Sequence, residues 1–358
     1  MILILRPGTL PQEVRRLQGD LRAEGYESYC CAIGDRTVVA VPGGTHESLA
    51  GAIRPHPVLS MTDAVDAPPL VSKAAAAGDT RVPIGGPTAI GGGEFAVIAG
   101  PCAVESANQV DGLATLIAAH GAVALRGGAF KPRTSPYSFQ GLGRDGLELL
   151  AAASRQTGLP LITEVVEPGD VPLVAQYAAV LQIGTRNAQN FSLLRAAGQS
   201  GRPVLLKRGF GCTVAEWLNA AEYVLRENNP NVILCERGIR TFGTELRFLL
   251  DISAVALVKR LSHLPVIVDP SHATGQADLV APLTLAAAAA GADGVLLDVR
   301  NGHPSILCDG PQALPIDRFR ALVEALDPLL GSVGRRLARG PQAPWLVAQG
   351  RGRPALSA

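Results

Sequence analysis

The stretch FAVIAGPCAVES, residues 95–106, decides the fold. Its apolar run is hydrophobic on both faces, as a parallel strand covered by helices must be. It ends in Gly100 and Pro101 and leads directly to Cys102 and Glu105, where a dinucleotide-binding doubly wound sheet would place a G-x-G-x-x-G turn. The open doubly wound sheet is the structural alternative, and this turn argues against it.

The same pattern repeats outward from there. VALRG (123–127), PLITEV (160–165), VLQIG (180–184), PVLLKRG (203–209), VILCERG (232–238), PVIVDPSH (265–272) and GVLLDV (294–299) are further short apolar runs. Helix-compatible segments separate them, among them RDGLELLAAASRQTG and TVAEWLNAAEYVLRE. Eight such units predict a (β/α)8 TIM barrel over residues 94–331.

Ahead of it, residues 1–65 read as a small α+β domain. ILIL is a strand, and PQEVRRLQGDLRAEG is a helix with Val14, Leu17 and Leu21 at helical spacing and Gly25 as its stop. RTVVAVPG, HESLAGAI and VLSM complete a ferredoxin-like βαββαβ order. Residues 66–93, rich in Ala, Gly and Pro, read as a linker ending in a hairpin, and residues 332–358 as a disordered tail.

Composition limits the function. The chain is 47% hydrophobic and 18% charged, with a formal net charge of +1. There is no basic field for nucleic acid or a membrane surface, and no apolar run long enough to span a bilayer. The N-terminus does not read as a signal peptide, because no basic segment precedes its short apolar run. Six cysteines, two of them adjacent, do not make a disulfide framework, so reduced thiols and a cytoplasmic location are expected.

Nearly every apolar run ends in reactive groups, which a barrel gathers at its C-terminal face. Arg126, Lys131, Arg133, Arg186, Lys207 and Arg237 are too many cations to converge without a bound anion, and more than one phosphate would balance them better than one. In LRGGAFKPRTSPYS (125–138) the glycines are expected to let the backbone approach that anion. Cys102, His272, Asp298 and Asp309 form a second set, one thiolate, one imidazole and two carboxylates, suited to a divalent transition metal. Alternatives remain for individual members: Cys102 as a small buried hydrophobe, and His272 as a residue that only orients its loop. Glu105 and Glu236 are candidates for orienting cations or water.

GPCAVES, LRGGAFKPRTSPYSFQGLG, QIGTRNAQNF, LLKRGF, CERGIRTF, LDISAV and LPVIVDPSHATG together resemble 3-deoxy-D-arabino-heptulosonate 7-phosphate (DAHP) synthase, the type I branch with an N-terminal ferredoxin-like domain. The resemblance spans about residues 1–330. It implies condensation of phosphoenolpyruvate with erythrose 4-phosphate, the first step of the shikimate pathway. It assigns Arg126, Lys131, Arg186, Lys207 and Arg237 to phosphoenolpyruvate, and Arg133, Thr134 and Ser135 to erythrose 4-phosphate. It makes Cys102, His272, Asp298 and Asp309 the ligands of one divalent ion, whether manganese, zinc, iron or cobalt. Lys131, His272 and Cys102 then carry the chemistry, and Lys131 is expected to move a proton with its pKa pushed down by neighbouring arginines. A homo-oligomer, with a tetramer as the working guess, and an aromatic amino-acid effector on the N-terminal domain also follow from the resemblance.

The last strand departs from the family pattern. LLDVRNGHPSILCDG places Asp298 where a glutamate ligand is usual and Arg300 where a histidine is usual, with a His-Pro pair displaced to His303 and Pro304. TFGTELRFLLDIS lacks the usual glutamate after Phe242, and Gly211–Cys212 departs from the usual loop after LLKRGF. A diverged enzyme acting on another phosphorylated aldehyde, and a non-catalytic homologue that binds phosphoenolpyruvate, therefore stand as alternatives.

Overall fold

In the computed structural model, which describes residues 1–64, 66–133, 135–302 and 307–340, the N-terminal unit runs β1 (Ile2–Leu5), α1 (Pro11–Ala23), β2 (Tyr29–Ile33), β3 (Arg36–Ala40), α2 (His46–Ile53) and β4 (Val58–Thr62). Its sheet has the order β2-β3-β1-β4 and is antiparallel throughout. Strand periodicity splits its side chains into two faces. Leu3, Leu5, Val39 and Val41 pack on Val14, Leu17, Leu21 and Leu49 of the two helices. Ile2, Ile4, Ile33 and Val38 belong instead to the large core that includes the barrel helices. The sheet is thus buried on both faces, and the second face docks the domain.

The segment after β4 is more than a tether. Leu70, Val71 and Ala75 are fully buried, and the hairpin β5 (Val82–Gly85) and β6 (Thr88–Ile90) follows. Val82, Ile84 and Ile90 share one core cluster with Ile98, Ile162, Val180, Leu205, Ile233, Ile267 and Leu296 from inside the barrel. The hairpin therefore plugs the end of the barrel opposite the C-terminal ends of its strands.

The barrel strands are β7 (Glu94–Gly100), β8 (Ala124–Arg126), β9 (Leu161–Val165), β10 (Val180–Ile183), β11 (Val204–Lys207), β12 (Val232–Glu236), β13 (Val266–Val268) and β14 (Gly294–Arg300). All pair in parallel with their neighbours, and β14 closes on β7. The intervening helices are α3 (Ala107–Ala119), α4 (Arg144–Thr157), α5 (Val171–Tyr177), α6 (Phe191–Gln199), α7 (Val214–Leu225), α8 (Ile252–Leu261), α9 (Pro270–Thr274), α10 (Ala277–Ala289) and α11 (Ile316–Ser332). Local chemistry starts and stops them. Thr213 and Glu216 form a capping box at α7, and Gly158 takes a left-handed conformation (φ 74°) to end α4.

One expectation changes. A two-residue strand β15 (Leu314–Pro315) adds to β14, and β16 (Arg336–Leu337) pairs with Glu94 and Phe95 of β7. Residues 332–340 are therefore not a disordered tail: Arg335 donates to Asp293 at 2.9 Å, which ties them to the barrel. The rest of that tail lies outside the described residues. None of the described helices is long and apolar enough to cross a membrane.

Candidate active site

Strand parity builds the site. In β7, Ala96 and Ile98 point into the barrel while Phe95, Val97 and Ala99 face the helices. Carried round the barrel, the same alternation puts Ala124, Ile162, Val180, Leu205, Ile233, Ile267 and Leu296 inside. Two residues beyond each of these, toward the C-terminal end, stand Arg126, Glu164, Gln182, Lys207, Cys235, Asp269 and Asp298, with Arg237 the next inward position after Cys235. An apolar layer thus gives way to a polar one in a single step. Arg126, Glu164, Gln182, Lys207 and Arg237 line one cavity with Lys131, Arg133, Arg186, Arg247, His272 and Asp309.

The donor set assembles at one edge of this cavity. Asp269 caps α9 by accepting the His272 backbone N–H at 2.9 Å, and it also holds His272 Nδ1 at 2.9 Å. The cap and Gly275, left-handed at φ 71°, fix a one-turn helix that aims His272 Nε2 at its neighbours. Nε2 is 3.6 Å from Cys102 Sγ, 3.6 Å from Asp298 Oδ2 and 3.9 Å from Asp309 Oδ2, and Cys102 Sγ is 3.2 Å from Asp309 Oδ2. Ligands about 2.1 Å from a tetrahedral centre are separated by about 3.5 Å, so this spacing fits a divalent ion. Burial lowers the His272 pKa despite Asp269 and Asp298, so the imidazole is neutral and its Nε2 lone pair is available. Burial works against charge on Asp309, but His272 and Arg247 still hold its carboxyl well below the usual range.

Arg126 and Asp298 form a buried pair at 2.6 Å. Arg126 Nη1 also donates to the Pro101 carbonyl at 2.8 Å, and Asp298 Oδ2 accepts from Gln312 Nε2 at 2.6 Å. The buried Nε of Arg126 has no partner among the described residues. Lys207 donates to Asp269 at 2.6 Å. Arg237 has no carboxylate in ion-pair contact among the described residues; it lies over Phe248 (4.3 Å) and Phe210 (5.0 Å) and donates to the His272 carbonyl. Burial, with Arg247 nearby, pushes its pKa down to about 10. Arg186 lies over the Phe210 ring as well, at 5.5 Å. Ring faces and carbonyls position the Arg237 guanidinium, and an anion would complete its charge balance.

Lys131 corrects the sequence reading. Its Nζ donates to the Cys102 carbonyl at 3.0 Å and to Cys102 Sγ at 3.2 Å. Burial opposes its charge, but the Cys102 and Cys308 sulfurs outweigh both burial and Arg126, so its pKa is raised rather than lowered. The glycines of this stretch also act differently from expectation. A Cβ on Gly128 would meet the Lys131 side chain and the Cys102 carbonyl, and one on Gly127 would meet Leu150. They make room for the lysine and for α4 rather than for a ligand.

Arg133 lines the cavity, with Nη1 3.1 Å from Cys308 Sγ. Ser135 does not line it: the residue is exposed, and its hydroxyl accepts the Tyr137 N–H at the start of a surface turn. Thr134, His303 and Pro304 lie outside the described residues. Glu236 has outward parity and holds Arg208 at 2.8 Å, and Glu105 accepts the Leu307 N–H, so neither borders the cavity. Three contributors were not singled out from sequence. Arg247 reaches Asp309 (3.3 Å) and Gln312 (3.0 Å), Gln312 holds Asp298, and Cys308 Sγ stands 3.6 Å from Cys102 Sγ.

Comparison with known proteins places the chain in a family. Residues 74–330 match the model of the DAHP synthetase I family. A phospho-2-dehydro-3-deoxyheptonate aldolase of Thermotoga maritima is 42% identical over 335 residues, covering 93% of this chain and 99% of that protein. The crystal structure of a DAHP synthase from Thermotoga maritima superposes with a TM-score of 0.75 at 41% identity, covering 94% of this chain and 99% of the other. A 2-dehydro-3-deoxyphosphooctonate aldolase of Polaromonas sp. is 32% identical over 65% of this chain and 89% of its own length. The chain belongs to the DAHP synthetase I family.

Proposed function

We propose that this protein condenses phosphoenolpyruvate with erythrose 4-phosphate and water, giving DAHP and phosphate as the entry step of the shikimate pathway. The observation that carries this reading is the polar layer itself. A buried Arg126 with an unpartnered Nε and a stacked Arg237 stand beside Lys131, Arg186 and Lys207, next to a donor set at metal-ligand spacing.

In this reading the five cations hold the carboxylate and phosphate of phosphoenolpyruvate, and Arg133 receives the phosphate of the aldehyde at the rim, with Thr134 next to it in sequence. Cys102, His272 and Asp309, with Asp298 alongside, would hold a divalent ion, which would supply Lewis-acid polarisation of the aldehyde oxygen. C3 of phosphoenolpyruvate forms the new bond to the aldehyde carbon, and Lys131, protonated by its surroundings, donates to the oxygen that becomes a hydroxyl. Water adds at C2. Of the two protons the water gives up, one restores Lys131, and phosphate departs with the electron pair of its C–O bond and the other, leaving the C2 ketone. The arginines hold the separating charges throughout, with no reorganisation needed at the moment of reaction.

The finer features belong to the same proposal: a cytoplasmic enzyme, a homo-oligomer with a tetramer as the working guess from the family resemblance, and an aromatic amino-acid effector on the N-terminal domain. Six unpaired cysteines suit a reducing compartment.

The test is phosphoenolpyruvate loss and phosphate release, measured with erythrose 4-phosphate and separately with arabinose 5-phosphate. Both are run after chelation and after adding back manganese, zinc, iron or cobalt. Turnover with the four-carbon aldehyde that vanishes on chelation and returns with metal supports the reading. Turnover only with the five-carbon aldehyde would replace it with the octulosonate reaction named for the Polaromonas relative.

A further inference from the structure

Asp298 is poorly placed to serve the ion alone. One oxygen is 2.6 Å from Arg126 and the other 2.6 Å from Gln312, and the residue is fully enclosed. A different donor stands on the far side of Cys102. Cys308 Sγ is 3.6 Å from Cys102 Sγ and 3.6 Å from Asp309 Oδ2, and it too is buried. Those separations match the ones among Cys102, His272 and Asp309, so the sulfur sits at ligand-to-ligand distance from two members of the set.

The charges point the same way. Apart from His272, each of these donors has its own cation: Lys131 is 3.2 Å from Cys102 Sγ, Arg133 is 3.1 Å from Cys308 Sγ, and Arg247 is 3.3 Å from Asp309. A thiol that merely filled space would have no use for a half-buried guanidinium at hydrogen-bond distance. A thiolate ligand would, since a charge-assisted hydrogen bond stabilises the residual negative charge on sulfur.

We propose that Cys308 supplies a second thiolate to the divalent ion, which is then bound by Cys102, Cys308, His272 and Asp309 while Asp298 remains the partner of Arg126. Two thiolates make the site soft. It favours zinc over manganese, which prefers oxygen donors. Arg133 then links the ion to the aldehyde's phosphate, touching the sulfur with one end and facing the cavity with the rest.

This inference rests on the metal-dependent reading above, and its test separates the two. The full-length protein, reduced and stripped of metal, is loaded with cobalt(II). The near-ultraviolet sulfur-to-cobalt absorbance is then read per bound ion in the wild type, Cys102→Ser, Cys308→Ser and the double variant. The expected result is that each single variant keeps about half of the wild-type band and the double variant none, because the band scales with the number of coordinated thiolates. In competition titrations Cys308→Ser should also lose zinc affinity by about tenfold or more relative to manganese. A Cys308→Ser protein with the full band per cobalt, or with zinc and manganese affinities changed alike, overturns the proposal and leaves the metal-dependent enzyme standing. A wild type that binds no cobalt, and whose phosphoenolpyruvate consumption no metal restores, overturns both.

Discussion

Arg126 and Asp298 come from strands on either side of β7 and meet at 2.6 Å, neither more than 3% exposed. The sequence reading gave one to phosphoenolpyruvate and the other to the ion, and the structure makes each the other's support. Removing one member of a buried pair leaves the other charge uncompensated, at a cost of about 3–5 kcal/mol. Asp298→Asn is expected to lower the melting temperature and to raise KM for phosphoenolpyruvate by about tenfold or more, because the guanidinium is no longer held in place. Metal bound per chain should stay as in the wild type, and a parallel loss of metal would show that Asp298 is a ligand after all.

His272 depends on Asp269 in the same way. The aspartate accepts the backbone N–H at Oδ1, while Oδ2 lies 2.9 Å from Nδ1 and 2.6 Å from Lys207 Nζ. Asp269→Asn weakens all three contacts. Outer partners of this kind are worth about 10–100-fold in metal affinity. Equilibrium dialysis should therefore show metal affinity falling in that range, with KM for phosphoenolpyruvate rising alongside as Lys207 is released. Unchanged affinity would mean the imidazole is held by packing alone.

Much of this was legible before the structure, and the boundary is instructive. Strands have a period of two, so each apolar run fixes which following residue faces inward, and Arg126, Lys207, Asp269 and Asp298 were found where that rule puts them. The same rule, applied strictly, would have excluded Glu236, which points outward to Arg208. Loops carry no such register. Arg247 lies in the excursion between Ile239 and Leu249, which pair with each other, and it reaches Asp309 only through tertiary folding. Gln312 and Cys308 are equally invisible to spacing. The Lys131 pKa was misjudged because counting nearby arginines in the sequence missed the two sulfurs beneath the ammonium group. The segment before the barrel was read as a linker because its composition is that of one, yet Leu70 and Val71 are buried.

The β5–β6 hairpin gives a prediction that separates stability from catalysis. Ile84 is buried in the cluster formed with the inner layer of the barrel, at the end away from the cations. Ile84→Ala leaves a cavity there, a change that costs about 2–5 kcal/mol. Thermal or denaturant unfolding should record that loss, while KM for both substrates at a temperature well below the transition stays within about twofold. A large KM change would mean the plug controls the shape of the opposite mouth.

Glu222 should make the docking of the N-terminal segment depend on pH. Its carboxylate accepts the N–H groups of Leu70 and Val71 at 3.0–3.1 Å, while Arg226 beside it lies 3.7 Å from the Tyr29 ring of β2. Burial raises its pKa to about 7, and the two N–H groups and Arg226 offset only part of that. The unfolded chain releases this proton near the ordinary glutamate value, whereas the folded protein keeps it until about pH 7. Between those values the native state binds more protons, so its stability falls as pH rises, by about 3 kcal/mol across the window, and the fall is complete above the folded-state pKa. Glu222→Gln cannot ionise, and its amide oxygen still accepts from the same backbone. Melting curves from pH 4.5 to 8 should therefore fall further with pH in the wild type than in Glu222→Gln, and the two proteins should differ least at the acid end. Parallel profiles would mean that the three hydrogen bonds keep the carboxylate charged throughout, and that this contact holds the domain equally at every pH.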